Sequence, residues 1–246
     1  MEDLIEDLPD SLLAREVVVG LHWTAVVAAR DDALQCGLSS TAVGVHAHGE
    51  KYDVAEPGRL GGQMVRGLAR LVDSSSPTER SVGLAGINAG LAFKHMEGAE
   101  VNAGELLGQI GAGLRVALVG HFPFIPELRE AVGELLVIER DPGPGELPAS
   151  AAPKVLPTCA VVALTALTLV NGTFGELMAS ISPNAYTALI GPSAPLSPVL
   201  FEHGLNMIAG THVERIEPVV QAVKQGANYR QIHRIGTRFV TLTSND

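Results

Sequence analysis

The spacing of apolar residues changes early in the chain from helical to strand-like. Leucine and isoleucine recur among acidic residues over 4–13, which predicts an amphipathic opening helix. Apolar runs over 17–21, 23–29 and 36–41, separated by short turns, then predict a β-meander.

Two apolar helices are predicted after the meander. The first covers 58–72, and the second runs over 77–91 with Ser76 as its N-cap. Asn88 lies in the middle of the second, glycine-rich helix. A buried asparagine must find partners for its amide, so Asn88 is either a satisfied core residue or a polar group directed into a cleft.

A third helix over 103–110 leads to glycines at 111 and 113, beyond which buried strands alternate with helices. This alternation predicts βαβ units and a parallel sheet. The expected architecture is therefore α/β, with a small α+β domain over 1–111 and a Rossmann-like domain over 112–246. The strands are predicted at 115–120, 135–138, 160–164, 185–190 and 205–209, with a final edge strand over 233–243. The intervening helices are predicted at 126–133, 149–156, 171–179 and 218–226.

The first predicted strand of this sheet lacks the glycine fingerprint of dinucleotide-binding folds. It ends at Gly120, and the phenylalanines at 122 and 124 would crowd a pyrophosphate. Glu139 does stand where such folds hold a ribose hydroxyl. An adenosine-bearing ligand therefore stays open.

Polar residues follow the predicted strand ends, the edge at which parallel sheets bind ligands. They are His121, Glu139, Thr165, Thr168, Asn171, Thr173, Ser193 and Ser197. Helix capping by Asn171 or Thr173 explains one or two of these groups but not all of them. We therefore expect two polar loops to face one crevice.

The turn over 190–198 contains three prolines and one glycine. The prolines fix the backbone and remove amide donors, whereas Gly191 permits unusual dihedral angles. A rigid turn of small residues between a strand and a short helix is typical of anion or polar-ligand sites.

His46 and His48 form a His-x-His pair with Glu50 close by. On a strand both imidazoles would face the same side and could hold a metal ion. The alternative is a pair of solvated loop histidines, because no third ligand is evident nearby.

Composition narrows the function classes. The 246 residues carry a net charge of −10 and contain two cysteines. The charge argues against nucleic acid or an anionic membrane as the main partner, and two distant cysteines argue against a disulfide framework or a structural zinc site. No signal-peptide pattern or membrane-length apolar run is evident, so a cytoplasmic location is expected.

Three motifs resemble those of the "putative heavy-metal chelation" family, long classed as a domain of unknown function. They cover 83–89, 165–173 and 191–198, and the resemblance extends from about Val17 to about Gly236. It implies an enolase N-terminal-like domain followed by a Rossmann-like domain, with a site in the cleft between them. Carried over by motif, that site contains Asn88, Thr165, Asn171, Thr173, Gly191, Ser193 and Pro195. Ala194 replaces a threonine common in the family, which removes one hydroxyl.

These observations lead to one principal hypothesis and two alternatives. The principal one is a protein that handles a heavy metal or metal complex, held as a small anionic ligand or metal chelate in the interdomain cleft. The first alternative is an enzyme acting on a small anionic or adenosine-bearing substrate, such as a nucleotide or S-adenosylmethionine, with Glu139 or His121 as acid or base. The second is a structural or regulatory module whose cleft seals a dimer, which would make the protein a homo-oligomer.

Overall fold

The computed structural model describes residues 1–42, 54–94 and 98–244. Its strands are β1 (Leu13–Val19), β2 (Trp23–Arg30), β3 (Ala33–Ser40), β4 (Arg115–Val119), β5 (Glu134–Glu139), β6 (Leu147–Pro148), β7 (Val161–Thr165), β8 (Tyr186–Ile190), β9 (Met207–Val213) and β10 (Thr237–Thr243). Its α-helices are α1 (Glu2–Glu6), α2 (Val65–Ala69), α3 (Pro77–Leu91), α4 (Ala103–Ile110), α5 (Ile125–Ala131), α6 (Ala152–Val155), α7 (Leu167–Asn171), α8 (Phe174–Ser180), α9 (Ile216–Lys224) and α10 (Tyr229–Gly236). Short 3₁₀ turns cover Arg70–Asp73, Ala149–Ala151, Leu156–Thr158 and Pro198–Phe201.

The opening helix is shorter than predicted. Helix α1 ends before Pro9, which disfavours helical dihedral angles in the residue ahead of it. Ser11 then has a φ of +65°, and Leu12 and Leu13 are 1% and 47% exposed. This alternation is that of a strand, and Leu13 begins β1.

The predicted helix over 58–72 is also wrong in its first half. Gly58 and Gly62 have φ values of +84° and +82°, in the left-handed region that an α-helix excludes. Only α2 and the following 3₁₀ turn are helical here.

The predicted meander is confirmed as an antiparallel sheet in the order β1-β2-β3. Helix α3 packs against it so closely that a Cβ at Gly37 would lie 2.1 Å from the backbone nitrogen of Ala89. Glycine at this position of β3 therefore lets the helix backbone approach the strand. This contact places Asn88, the neighbour of Ala89, beside the edge of β3 that is opposite β2.

The second sheet contains seven strands in the order β10-β9-β8-β7-β4-β5-β6. All neighbours are parallel except β10, which runs antiparallel to β9. The order β6-β5-β4-β7-β8-β9 is that of the doubly wound Rossmann sheet, whose switch point falls between β4 and β7. The predicted fold class, a small α+β unit before a larger and mostly parallel α/β unit, is confirmed.

Several elements of the second half differ from the prediction. Strand β9 runs on to Val213, and the predicted helix over 171–179 is divided between α7 and α8. Strand β6 and helix α10 were not predicted, since β6 has two residues and α10 is rich in polar residues. The edge strand predicted over 233–243 is wrong at its start, because α10 runs to Gly236 and β10 begins only at Thr237.

One apolar cluster of buried residues spans both sheets. It contains Leu4 and Ile87 from the first part of the chain and Leu164 and Leu189 from the second. The division into domains at residues 111 and 112 stays a prediction. No helix in the described part of the chain is long and apolar enough to cross a membrane.

Candidate functional site

The ends of β4, β7 and β8 lie side by side at the carboxyl edge of the larger sheet. Gly120 and Gly191 follow β4 and β8 with φ values of +111° and +139°. A Cβ at Gly120 would lie 2.8 Å from Cβ of Thr165, and one at Gly191 would lie 3.9 Å from Thr165 Oγ1. Thr165, the last residue of β7, therefore stands between the two glycines that directly follow the neighbouring strands.

Asn88 and Ser193, predicted to share a site, are in direct contact. Asn88 Nδ2 donates to the carbonyl oxygens of Leu38 at 2.8 Å and Ser193 at 3.1 Å. Ser193 is 1% exposed, and its Oγ accepts from the Ser40 backbone N–H at 2.8 Å. These polar groups fasten the edge of β3 and helix α3 to the turn after β8.

The remainder of this turn is held mainly by hydrogen bonds between backbone groups. The Gly191 N–H donates to the carbonyl of Ala209, and the Ala194 N–H donates to the carbonyl of Gly191, both at 2.9 Å. Pro195 is buried, and Ser197 Oγ accepts from the Val199 N–H at the start of the 3₁₀ turn. These amides therefore do not point toward a ligand.

Asn171 and Thr173 lie together in the loop between α7 and α8. Asn171 Oδ1 accepts from the Thr173 Oγ1 hydroxyl at 2.7 Å and from the Thr173 N–H at 3.1 Å. Asn171 ends α7 instead of capping a helix over 171–179, since Gly172 adopts a left-handed φ of +79°. Its Nδ2 is the part of the amide that these two bonds leave for a ligand.

Helix α3 also reaches this loop through Arg80. Its Nε donates to the carbonyl of Val170 at 2.6 Å, in the last turn of α7. A guanidinium at a helix C-terminus satisfies a free carbonyl and complements the helix dipole. The two polar loops after β7 and β8 are thus both anchored to one helix.

His121 and Glu139 stand apart from the Asn88–Ser193 contact. His121 Nδ1 lies 3.1 Å from Oε1 of Glu146, and the two side chains are 67% and 14% exposed. Glu139 ends β5, and its Oε2 accepts from the backbone N–H of Arg140. The partnership of Glu146 with His121 was not predicted, because Glu146 lies in a proline- and glycine-rich loop.

His212 was also missed by the sequence analysis. It lies on β9 and lines a small cavity together with Asn88. Burial, and secondarily the charge of Arg238, lower the pKa of His212. The only sequence signal was its position two residues after Gly210 on the same strand face.

The predicted metal ligands His46 and His48 lie outside the described residues. Residues 1–42, 54–94 and 98–244 contain no group of three or more His, Cys, Asp or Glu side chains that could hold a metal ion. Burial raises the pKa of Cys36 to about 12 and also raises that of Cys159. Both thiols therefore disfavour the thiolate form that binds soft metals.

Two structures of related proteins share the whole fold. One is a DUF364-family protein of unknown function from Desulfitobacterium hafniense DCB-2, with 28% identity, a TM-score of 0.82, and coverage of 98% of this chain and 96% of that one. The other is a DUF364-family protein of unknown function from Pyrococcus horikoshii, with 19% identity, a TM-score of 0.82, and coverage of 98% and 97%. A search of curated proteins finds no match.

Two family models match adjacent parts of the chain. Residues 1–91 match DUF4213 and residues 102–241 match DUF364, and both models carry the description "Putative heavy-metal chelation". The DUF364 match covers more than half of the 246 residues. The chain therefore belongs to the DUF364 family, described as "Putative heavy-metal chelation".

Proposed function

We propose that the protein binds a heavy metal as its complex with a small, oxygen-rich anionic chelator. The proposed site is the carboxyl edge of the larger sheet, next to the contact between Asn88 and Ser193. The observation that carries the proposal is the position of Thr165 between Gly120 and Gly191, two residues without side chains that follow the neighbouring strands. The Thr165 hydroxyl oxygen accepts from the Leu167 N–H at 3.4 Å, and its hydrogen can donate to a ligand. Ligands of doubly wound sheets bind at this edge.

The donor set favours a complex over a bare metal ion. Apart from His121, the polar groups near this edge are hydroxyls and the Asn171 amide, whereas soft metals prefer thiolate and imidazole ligands. Hydroxyl and amide donors instead suit the carboxylate oxygens of a chelator. Free Ni²⁺ or Zn²⁺ should accordingly bind weakly.

Calorimetric titration with nickel(II) citrate, free Ni²⁺ and free citrate tests the proposal. The complex should bind to the wild type, and Thr165→Val should weaken it by about tenfold, as expected for one lost hydrogen bond to a charged group. Thr158→Val is the matched control, because Thr158 precedes β7 at the opposite edge of the sheet. This variant should retain wild-type affinity.

Two results would contradict this proposal. One is equal binding of nickel citrate by the wild type and Thr165→Val. The other is submicromolar, stoichiometric binding of free Ni²⁺ or Zn²⁺ that is abolished by His46→Ala and His48→Ala, which would move the metal to the histidine pair.

The contact between His121 and Glu146 favours a second candidate, an enzyme acting on a nucleotide or S-adenosylmethionine. A carboxylate that orients an imidazole is a common general acid–base arrangement, and His121 follows β4 at the switch point. Glu139, at the end of the adjacent β5, would hold the ribose. Such a ligand should raise the thermal unfolding midpoint of the wild type but not that of Glu139→Ala. Glu146→Gln should lower the turnover rate more than it lowers the affinity for the ligand. The absence of stabilisation by either ligand would remove this candidate.

A further inference from the structure

The amide oxygen of Asn88 has no hydrogen-bond partner among the described protein groups. Oδ1 is buried, whereas both Nδ2 hydrogens are used on the carbonyls of Leu38 and Ser193. Exchanging the two ends of the amide would place Oδ1 against two carbonyl oxygens, so the orientation is fixed. A buried amide oxygen without a donor is costly and calls for a partner.

A cavity of about 20 Å³ lies beside this amide. It is lined by Cys36, Asn88, Leu91, Ala92, Ala194, Leu196, Thr211 and His212. One water molecule needs about 10–15 Å³, so the cavity has room for a water molecule.

His212 is the second polar group available to an occupant of this cavity. A Cβ at Gly210 would lie 2.6 Å from the Ala194 carbonyl, so this face of β9 is directed at the turn after β8. His212, two residues on, shares that face. Thr211 points the opposite way, with its Oγ1 2.6 Å from the hydroxyl of Tyr229.

We propose that this cavity binds one water molecule, which donates to Asn88 Oδ1 and is held by a ring nitrogen of His212. An anion is excluded by the lone pairs of Oδ1. A cation is disfavoured because no carboxylate is among the residues that line the cavity. A neutral imidazole has one donor and one acceptor, so His212 can either donate a hydrogen bond to the water or accept one from it.

The water makes His212 a positioning residue for the turn after β8. The water fixes the orientation of the Asn88 amide, and that amide donates to the carbonyls of Ser193 and of Leu38 on β3.

Water–protein NOE spectroscopy on the full-length protein tests the proposal. The side-chain amide protons of Asn88 should show cross-peaks with the sign of a long-lived water. His212→Leu should abolish them, because leucine fills the cavity and removes the ring nitrogen. His203→Leu, at a half-exposed histidine that contacts Asp3, should leave them unchanged.

A high-resolution crystal structure of the wild type provides a second measurement that does not depend on any variant folding. It should show a solvent oxygen within hydrogen-bond distance of both Asn88 Oδ1 and a His212 ring nitrogen. A direct bond between Asn88 and His212, a cavity without an ordered oxygen, or NOE cross-peaks that persist in a folded His212→Leu variant would each overturn the proposal.

Discussion

The side-chain amide of Asn88 donates to the carbonyl of Ser193 across 105 positions of the chain. The same amide holds the carbonyl of Leu38 on β3, so one side chain joins helix α3, the smaller sheet and the turn after β8. Replacement of Asn88 should therefore loosen the contact between the two sheets as well as the helix that carries it.

We expect Asn88→Ala to lower the free energy of unfolding by about 2–6 kcal/mol, because it leaves two carbonyls without their donor at about 1–3 kcal/mol each. Urea unfolding followed by circular dichroism measures the change. Asn184→Ala is the control, since Asn184 is exposed, and it should stay within about 0.5 kcal/mol of the wild type. A comparable loss in both variants would show that the Asn88 hydrogen bonds contribute no more to the free energy of unfolding than an exposed asparagine does.

Gly37 and Gly67 offer a matched pair of glycine substitutions. In Gly37→Ala the new Cβ would lie 2.1 Å and 2.2 Å from backbone atoms of Ala89 and Ala85, so helix α3 must move. We expect a loss of about 3 kcal/mol in the free energy of unfolding.

Gly67→Ala places its Cβ where no atom lies within 4 Å, inside helix α2. This variant should gain about 0.5–1 kcal/mol through helix propensity. Urea unfolding of the two proteins under identical conditions compares them. Gly37→Ala with wild-type stability would contradict the close contact between β3 and α3.

The thiol of Cys36 should be inert in the folded protein. Burial raises its pKa to about 12, so almost no thiolate exists at pH 8. In a Cys159→Ser variant, which has Cys36 as its single thiol, a colorimetric disulfide reagent should react only after denaturation. Rapid reaction of the native variant would show that the edge of β3 opens to solvent.

Much of the larger sheet could be predicted from sequence alone. Its central strands, such as Val161–Thr165, are buried on both faces and form continuous apolar runs between helices, which is the usual signature of a parallel sheet. At the N-terminus the same reasoning failed, because Leu12 and Leu13 fit both a helical period and a strand. The break at Pro9 and the left-handed Ser11 decided between them.

The candidate site was only partly predictable for a different reason. Asn88 and Ser193 could be named separately, but their mutual hydrogen bond depends on how α3 docks, which no local pattern records. Likewise, Glu146 meets His121 only through the path of an irregular loop. His212 belongs to no recognisable sequence motif, and its proposed role in holding a water depends on a cavity formed by segments that are distant in the sequence.

His212 should make stability depend on pH in a defined direction. An unfolded histidine has a pKa of about 6.5, and burial together with Arg238 lowers that value in the folded protein. Below about pH 6.5 the unfolded state then binds more protons than the folded state, so the free energy of unfolding falls as the pH falls. The contribution of neutral His212 to the free energy of unfolding is fully present above about pH 6.5 and is lost as the pH falls toward the lower pKa of the folded protein.

Urea unfolding of the wild type and His212→Gln at pH 7.5, 6.5 and 5.5 measures this effect. Glutamine cannot take up a proton, so the variant should lack this part of the pH dependence. Its stability relative to the wild type should therefore rise as the pH falls, because only the wild type loses stability through this group. If the free energies of unfolding of the two proteins changed in parallel across the three pH values, His212 would have the same pKa in the folded and unfolded states. Its surroundings would then be more hydrated than its burial implies.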